Sequence, residues 1–528
     1  MEKQTFGREV NELPLSTPAS LRRIGLTEVL LSRLFLVVIL AGGAAIRLWQ
    51  INILGLNSDE AVYSGQAAAM AQIPYLKGFF PVFRAHPLLY QFLLALVFGR
   101  FGVSDLWPRL LGVAFGVATI FVVYLLGSLL YGRRTGTIAA LLMAIMPYHV
   151  IVTRQGLLDG PLVFCSTLTL YLLARFVLTE RPIWLYVTGV GLGLTFLAKE
   201  TGIILLGAVY AFLALARHVR VRILDVFVSL FFMVLMISPY ALSIWLSGAG
   251  TTGQSYLIWQ LFRRPNHTWD FYLTAVPPAI GILVLLAALA GIVLLWRDRS
   301  WREAMLGWWI VVPLVFFELW PTKGYQYLLP IAPAVAILAA RALALWSPAK
   351  ERDGAGPSFS RRVVNQLIPA LVVLSLAFTS WQAIQPATST TYTAGTGGIP
   401  GARETGNWIN ANTPKGAIIL TIGPSMANIL RFYGQRTAYG ISISPNPLYR
   451  NPAYVPVLNP DLQIRNGDIQ YLVWDSFSAS RSSFFSDIIL RLSNRFNGRV
   501  VHTESVQVLM PDGTSVEKPV IIIYEVHR

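Results

Sequence analysis

The chain has 528 residues, of which 55% are hydrophobic and only 13% are charged. A soluble globular protein carries about 25% charged residues, so this composition excludes an ordinary soluble enzyme and favours many lipid-embedded segments. The net charge is +16, and the basic residues cluster in short loops between apolar runs, which indicates membrane orientation and not nucleic-acid binding. The sole cysteine, Cys165, lies within an apolar run, so we expect neither an intrachain disulfide nor a cysteine metal site.

The chain begins with a polar, basic stretch, residues 1–29, which we predict to be a cytoplasmic N-terminal segment before an uncleaved membrane anchor. Eleven apolar runs then have the length of a membrane-spanning helix. They lie at 30–49, 107–131, 135–151, 160–178, 183–198, 201–216, 224–247, 271–296, 304–320, 325–346 and 364–384. The prediction is a membrane α-helical bundle of about 11 spans over residues 30–384, with additional juxtamembrane helices.

The positive charges predict which side of the membrane each loop occupies. The richest basic loops are at 133–134, 217–222, 297–302 and 350–362. They all fall on the cytoplasmic side if the short apolar run 87–101 lies along the outer surface. If that run crosses the membrane, the basic loops move to the wrong side, so we prefer a juxtamembrane helix. The N-terminus is then cytoplasmic, and the long loop 50–106 is extracytoplasmic.

The composition changes after residue 385. Residues 386–401 are rich in Thr, Gly, Ala and Pro and are typical of a linker. The rest alternates helix-like and strand-like patterns, with helices expected at 402–410 and 486–496 and strands at 417–422, 469–474 and 520–524. We therefore predict a soluble α/β domain over residues 385–528, on the outer side of the membrane.

Two adjacent acids, Asp59 and Glu60, follow the first predicted span. Carboxylates at the rim of a membrane span are costly to place and are seldom without a role. A carboxylate near a hydroxyl can act as a general base, and repulsion between neighbouring acids raises one pKa towards a useful range. The alternative is structural, because Asn57, Ser58 and Asp59 precede a helical pattern that Glu60 would favour in its first turn. Both interpretations can hold together.

Other polar side chains are sparse on the predicted outer side, and each has a structural alternative. Asp159 fits a helix cap, Lys199 fits a snorkelling side chain, and a lone histidine is more often structural than functional. If these residues converge, the acids supply a base and the cations clamp a phosphate at the lipid boundary, which describes a lipid phosphate carrying a sugar. A single carboxylate then suffices, and direct attack inverts the anomeric centre.

The order of these motifs resembles the polytopic glycosyltransferases of the GT-C fold, most of all the protein O-mannosyltransferase and lipid A aminoarabinose transferase family. The likeness covers roughly residues 30–345 and rests on an ordered set of short motifs. These are Asp59 with Glu60, His86-Pro87-Leu88, Arg109, Tyr131-Gly-Arg-Arg134, Arg154 with Leu157-Leu-Asp159, Lys199 with Gly202, and His267 before Phe271-Tyr272.

The resemblance implies an enzyme that transfers a sugar from a polyprenyl-phosphate donor to an acceptor hydroxyl on the extracytoplasmic face, at a lipid bilayer. It implies that Asp59 is the catalytic base, with Glu60 beside it, and that outer-loop residues bind the substrates. The predicted substrate-binding set is His86, Arg109, Arg154, Asp159, Lys199, Arg263, Arg264, His267 and Lys323. The rival predictions are a transporter or flippase of lipid-linked sugars and a ligase that uses a lipid diphosphate.

The chain departs from the family pattern around His86. The mannosyltransferases have a second proline where this chain has Leu88, and the aminoarabinose transferases have a Glu-Lys pair where it has Ala85 and His86. No cofactor is required by the pattern, although two histidines, His86 and His267, together with a carboxylate would make a plausible site for a divalent cation if they converge.

Overall fold

The structure is a computed structural model that consists mostly of helices, with one small sheet near the C-terminus. It describes residues 26–82, 86–216, 219–248, 250–296, 300–346, 359–385, 398–509 and 514–527. Arg84 and Ala85, the linker residues 386–397 and most of the predicted N-terminal segment lie outside the described residues.

The long apolar runs of the sequence all lie on helices. In the first part of the chain the helices are α1 (Leu26–Leu48), α2 (Ser58–Met70), α3 (Pro74–Lys77), α4 (Leu89–Phe101), α5 (Leu106–Tyr131), α6 (Arg133–Ile145), α7 (Pro147–Thr153), α8 (Asp159–Thr179), α9 (Pro182–Ala198), α10 (Ile204–Leu215), α11 (Ile223–Leu246), α12 (Gly250–Leu261), α13 (Phe271–Ile280), α14 (Ile282–Trp296), α15 (Trp301–Leu319), α16 (Ala332–Trp346) and α17 (Phe359–Ala383). Short 3-10 turns, Glu200–Ile203 and Tyr325–Ile331, lead into α10 and α16.

Among the helices that the structure describes, fewer than the predicted eleven have the length and the apolar composition that a membrane span requires. Within the described residues, five helices are long and apolar enough to cross a membrane, and the number rises to seven if each of two bent helix pairs counts as one span. Helices α4, α9 and α10 are apolar but shorter. The chain is therefore a membrane protein with several spanning helices, and the total of eleven stays a prediction.

Two of the predicted spans are not straight. The run predicted at 271–296 forms α13 and α14, which meet at 94° across Gly281, a residue in the left-handed region with φ of 98°. Helices α6 and α7 meet at 58° before Pro147. Proline lacks the backbone N–H that continues a helix, and it disfavours a helical conformation at the preceding residue, so the chain turns here.

Arg47 supports the bend between α6 and α7. Its fully buried guanidinium donates to the backbone oxygens of Ala144 at 2.9 Å and Met143 at 3.4 Å. These carbonyls lie in the last turn of α6, where intrahelical donors are missing. The Nη2 atom of Arg47 also lies 2.8 Å from Nδ1 of His149. The buried Arg47 therefore contacts a second buried polar side chain and donates hydrogen bonds to the free carbonyls at the helix break.

A second layer of short helices covers one end of this bundle. Helices α2 and α4 pack together, and Tyr90, Leu94 and Phe98 of α4 are buried against Ala67 and Ala68 of α2. The run at 87–101 therefore packs with the first loop as a separate short helix, and its position outside the membrane stays a prediction.

The C-terminal region, residues 398–527, folds as a mixed sheet with helices. Its strands are β1 (Ile418–Thr421), β2 (Thr437–Gly440), β3 (Tyr471–Asp475), β4 (Arg499–Leu509) and β5 (Ser515–Glu525), in the order β2-β1-β3-β5-β4. Strand β1 is parallel to β2 and β3, whereas β5 is antiparallel to β3 and β4. Its helices are α18 (Ala402–Asn412), α19 (Pro424–Tyr433), α20 (Pro460–Asn466), α21 (Ser476–Arg481) and α22 (Ser483–Arg495).

Helix α19 places the C-terminal region directly on the second layer. It packs on α2, and the Tyr433 hydroxyl donates to Asp105 Oδ2 at 2.9 Å and accepts from the Leu56 N–H at 2.9 Å. Arg403 of α18 forms an ion pair with the same Asp105 at 3.3 Å. The loop that carries the predicted acids is therefore held between the bundle and the C-terminal region.

Candidate active site

The two predicted acids at the start of α2 differ in role: Glu60 takes part in the helix cap, and Asp59 does not. The side chain of Asn57 caps the helix by accepting from the Glu60 N–H at 2.9 Å, and Glu60 Oε2 accepts from the Asn57 N–H at 2.9 Å. This reciprocal capping box fixes the first turn. Asp59 lies between the two capping residues without taking part in the cap, so its side chain is directed elsewhere.

Glu60 is fully buried and has a structural environment. Its carboxylate accepts from Arg109 Nε at 3.0 Å and Nη2 at 2.9 Å, and from the Gly156 N–H at 2.8 Å. Arg109 also donates to the backbone oxygens of Ile51, Leu54 and Gly55, each at 2.7 Å, and thereby uses all five of its N–H donors. The pair holds the first outer loop against α5, and neither group has a donor or charge left over for a substrate.

Arg154 is likewise engaged with the backbone. It ends α7 and donates to the carbonyl oxygen of Ile384 at 2.9 Å and to that of Trp49 at 2.6 Å. Two helix ends distant in sequence, those of α1 and α17, are joined by this one buried side chain. Its position is that of a connector between helix ends.

Asp59 faces an open cleft with about 880 Å³ of empty space. One wall is the second layer, and the other is the C-terminal region together with α12. The lining residues with polar side chains are Asp59, Tyr63, Gln66, His86, Tyr256, Asn428, Arg431, Asn451 and Tyr454. The Asp59 side chain is exposed to the cleft, but protein encloses the cleft around it.

The surroundings raise the pKa of Asp59 above its usual range. Burial within the protein is the main cause, the positive charge of Lys199 opposes it, and the negative charges of Asp159 and Glu60 add to it. Arg263 also lowers the pKa. The predicted outer cations and acids thus act on one carboxylate, which indicates that these loops converge around Asp59.

Lys199 and Asp159 form a buried ion pair beside Asp59. The Lys199 Nζ lies 2.8 Å from Asp159 Oδ1 and 5.0 Å from the ring centroid of Tyr327. Both side chains are at most 10% exposed. Lys199 follows the end of α9 and Asp159 begins α8, so two helix ends meet here. A lysine so placed keeps its charge because an acid compensates it.

The remaining predicted cations lie on two loops, Arg263 and Arg264 after α12 and Lys323 after α15. Arg263 stacks on Trp259 at 4.6 Å, and Arg264 stacks on Tyr449 of the C-terminal region at 4.5 Å. Lys323 Nζ lies 3.1 Å from Glu318 Oε1, so this lysine is already paired. The positive charge of Arg263 is among those that lower the pKa of Asp59. Lys323 is paired within its own loop region, with Glu318 at the end of α15.

The two predicted histidines occupy different environments. His86 lines the cleft and packs edge-on against Tyr63, with ring centroids 6.4 Å apart. His267 is exposed and stacks on Phe271 at 4.0 Å. Over the part of the chain that the structure describes, no three side chains among His, Cys, Asp and Glu come together as a metal site. The predicted grouping of two histidines and a carboxylate is not formed there.

Sequence reasoning missed the wall that the C-terminal region contributes. Asn428 and Arg431 are one helical turn apart on α19, and Asn451 and Tyr454 follow on the loop after β2. Asn428 is 370 residues from Ser58, to whose hydroxyl it donates at 3.1 Å. No local motif indicates a contact across this distance, although the i, i+3 spacing marks one face of α19.

The chain has the fold of the GT-C glycosyltransferases, and the resemblance inferred from its motifs is confirmed. Residues 85–245 match the family model described as dolichyl-phosphate-mannose-protein mannosyltransferase. Among solved structures, ArnT from Cupriavidus metallidurans is similar, with a TM-score of 0.68 at 15% identity over 93% of this chain and 98% of that protein.

Two further relatives extend the comparison. AglB from Archaeoglobus fulgidus, solved in complex with an inhibitory peptide and a dolichol-phosphate, has a TM-score of 0.58 at 12% identity, over 93% of this chain and 74% of that protein. The putative mannosyltransferase YkcB of Bacillus subtilis is 31% identical over 158 residues. That match spans 27% of this chain and 22% of the length of YkcB.

Proposed function

We propose that the protein is an inverting glycosyltransferase that moves a sugar from a polyprenyl-phosphate donor to an acceptor hydroxyl on the extracytoplasmic face. The observation that carries the proposal is the position of Asp59. It is exposed to the cleft and takes no part in the capping box that occupies Glu60, and the charge of Lys199 acts on it. In a displacement reaction a base activates the attacking hydroxyl and a cation stabilises the leaving phosphate, and Asp59 and Lys199 fit these two roles.

In the proposed reaction Asp59 removes the proton of the acceptor hydroxyl as that oxygen attacks the anomeric carbon. The new oxygen–carbon bond forms while the bond from the anomeric carbon to the phosphate oxygen breaks. The lipid phosphate leaves with the bonding electrons, and the proton remains on Asp59. Attack opposite the leaving group inverts the anomeric centre. The raised pKa of Asp59 suits this task, because a base works best when its pKa is near the working pH.

Lys199 is the proposed counter-charge for the departing phosphate, with Arg263 as a second cation on the same approach. Asp159 fixes the position of Lys199 through the 2.8 Å ion pair. Support comes from ArnT, which was solved bound to undecaprenyl phosphate. In this proposal Glu60, Arg109 and Arg154 position the outer loop, and His86 lines the acceptor side. Arg264, His267 and Lys323 are not among the lining residues of the cleft and have no assigned role in this proposal.

A transporter of lipid-linked sugars remains the alternative, because broken helices are typical of transporters. Two bent helix pairs are present here, at 58° and 94°. At the first bend, Arg47 donates to the carbonyls of α6, so the polar groups there satisfy the broken backbone. This local explanation favours the enzyme over a transport route.

The test compares purified, reconstituted wild type with Asp59→Asn in sugar transfer from radiolabelled polyprenyl-phosphate hexoses and pentoses to hydroxyl acceptors of the cell envelope. Donor binding is measured alongside. We expect Asp59→Asn to lose transfer by at least about a hundredfold and to keep donor binding. Asp468→Asn, the same change at an exposed aspartate of the C-terminal region, is the matched control.

An Asp59→Asn variant with full activity would refute the assignment of the base. A wild type that carries the lipid across vesicles and transfers no sugar would establish the transporter instead. Membrane orientation is tested separately by labelling single cysteines at Arg134 and Lys415 with an impermeant reagent in intact cells after Cys165→Ser. The proposal requires labelling at Lys415 only.

A further inference from the structure

The cleft has a second polar wall, and the C-terminal region supplies all of it. Asn428 and Arg431 of α19 face the cleft together, and Tyr454 stands beside them. These residues lie opposite the α2 side chains Asp59 and Gln66. Lys199 and Asp159 are not among the lining residues of this space.

Asn428 connects the C-terminal wall to α2 and positions Tyr454. Its amide nitrogen donates to Ser58 Oγ at 3.1 Å and to the Tyr454 hydroxyl at 3.2 Å, and its side chain is 2% exposed. Because the Tyr454 oxygen accepts from Asn428, its own proton points in another direction. Asp59 acts on the pKa of Tyr454, so the hydroxyl and the carboxylate share one space. The tyrosine can therefore donate to an oxygen held beside Asp59.

Arg431 is the cation of this wall. Its Nε and Nη2 atoms both donate to the Ala438 carbonyl oxygen, at 2.9 and 2.6 Å, which leaves Nη1 outside that contact. In the described portion of the chain no carboxylate lies within ion-pair distance of this guanidinium. Burial lowers the pKa of Arg431, and the nearby hydroxyls of Tyr454 and Tyr439 oppose this shift only in part. A partly buried arginine without an anionic partner in a cleft wall is suited to an anionic ligand.

We infer that Arg431, Tyr454 and Asn428 form an acceptor subsite for a hydroxyl compound that carries an anionic group, a phosphate or a carboxylate, close to the reacting hydroxyl. Arg431 binds the anionic group, Tyr454 donates to a neighbouring oxygen, and Asn428 positions Tyr454. The hydroxyl is thereby directed towards Asp59. The subsite rests on the proposed function in one respect, the role of Asp59 as the base.

The simpler role for Arg431 is structural, as a clamp from α19 to β2 through Ala438. That role and the subsite make different predictions for a ligand. A clamp affects the stability of the C-terminal region whether or not an anion is present. A binding residue changes the affinity for anionic compounds and leaves the affinity for their neutral analogues unchanged.

The experiment measures binding to the purified full chain in phosphatidylcholine nanodiscs, with undecaprenyl phosphate present at saturation to occupy the lipid-phosphate site. The probes are radiolabelled glycerol 3-phosphate and glycerol. Wild type should bind glycerol 3-phosphate more tightly than glycerol. Arg431→Gln should weaken glycerol 3-phosphate at least about tenfold, the loss of one charge-assisted contact, and leave glycerol unchanged. Arg431→Lys should keep part of the preference.

Tyr454→Phe gives a second, conservative variant that leaves the Ala438 clamp intact. It should weaken both probes, because the lost donor serves an oxygen common to both. Arg491→Gln, which changes an exposed arginine on α22, is the matched control and should bind both probes as wild type does. Thermal unfolding of every variant separates loss of the fold from loss of the subsite.

Equal affinity of wild type and Arg431→Gln for glycerol 3-phosphate would overturn the subsite, as would a wild type that binds neither probe. A second arm adds phosphatidylglycerol to the nanodiscs. If phosphatidylglycerol competes with glycerol 3-phosphate, the anion belongs to a lipid headgroup. If it does not compete, the anion belongs to a soluble acceptor. Because binding is measured without turnover, a chain that binds the probe and transfers no sugar would refute the proposed function and retain the subsite.

Discussion

Arg109 and Glu60, which are 49 residues apart in sequence, form a bidentate ion pair, with Nε–Oε1 and Nη2–Oε2 distances of 3.0 and 2.9 Å. Neither side chain is more than 2% exposed. The pair joins the start of α2 to the start of α5 and encloses the turn that leads from the first helix. Asp59, the neighbour of Glu60, therefore projects from a backbone that cannot readily shift.

Breaking this pair should destabilise the fold more than it affects chemistry. Glu60→Gln leaves the buried Arg109 without its anion, and we expect the free energy of unfolding to fall by about 3–5 kcal/mol. Thermal unfolding in nanodiscs measures this, with the exposed Glu404→Gln as a control that should leave stability unchanged. A Glu60→Gln protein of normal stability without transfer activity would instead make Glu60 a participant in the reaction.

Lys199 should set the pH at which Asp59 is ready to act. Its positive charge lowers the pKa of Asp59, so Lys199→Met removes that effect and raises the pKa further. A base must be deprotonated, so the acid limb of the pH–rate profile should move to higher pH. Arg263→Gln should shift it in the same direction by less, because Arg263 is the weaker of the two contributions. An unshifted limb in Lys199→Met would mean that Asp59 does not control the rate.

Tyr433 should determine how firmly the C-terminal region is attached. Tyr433→Phe removes a donor from Asp105 and leaves the Leu56 N–H without its acceptor, at a cost of roughly 1–3 kcal/mol at this contact. Hydrogen exchange at the Leu56 amide should become faster. Tyr439→Phe, on β2, should leave that amide as slow as in wild type. Equal exchange in both variants would place the attachment elsewhere.

Asp475 should give the C-terminal region a stability that falls with rising pH. Burial raises its pKa to about 6 in the folded state, so the folded chain holds this proton when the unfolded chain has lost it. Stability is lost as pH rises from about 4 to 6, by roughly 3 kcal/mol, and then levels off. Asp475→Asn keeps an acceptor for the Ser478 N–H, which the aspartate caps at 2.7 Å, and should remove this dependence.

The measurement is unfolding of the C-terminal region between pH 4 and 7 in wild type and Asp475→Asn. The difference between the two should grow across that interval. The exposed Asp487→Asn should follow the wild-type curve. A constant difference between Asp475→Asn and wild type would mean that Asp475 ionises equally in both states.

Hydropathy predicted the helices well because lipid imposes long apolar stretches that are visible locally. The strands were harder. The sequence indicated β1, β3 and the apolar second half of β5, where the buried residues of that strand lie. It did not indicate β2, which has four residues, or β4, whose polar residues fit an edge strand. The run at 271–296 was predicted as one span because its composition conceals the turn that Gly281 permits.

The candidate site was predictable in its residue types and not in its pairings. The sequence outlined a reaction on the condition that the loops of Asp59, Asp159 and Lys199 converge, and the charges of Asp159 and Lys199 do act on Asp59. Whether a buried charge is available depends on partners far along the chain, as for Arg154, which bonds to the carbonyl of Ile384 across 230 residues. Such partners are set by tertiary packing, and no local spacing encodes them.

The contact between Asn428 and Ser58 has a consequence for biosynthesis. The ribosome delivers α2 early and α19 near the end, and all but the first of the predicted spans are made between them. A chain that stops before Ala402 would contain every apolar run and the proposed base, yet one side of its cleft would be open to water. Both walls of the cleft therefore exist only after the last quarter of the polypeptide has emerged and folded.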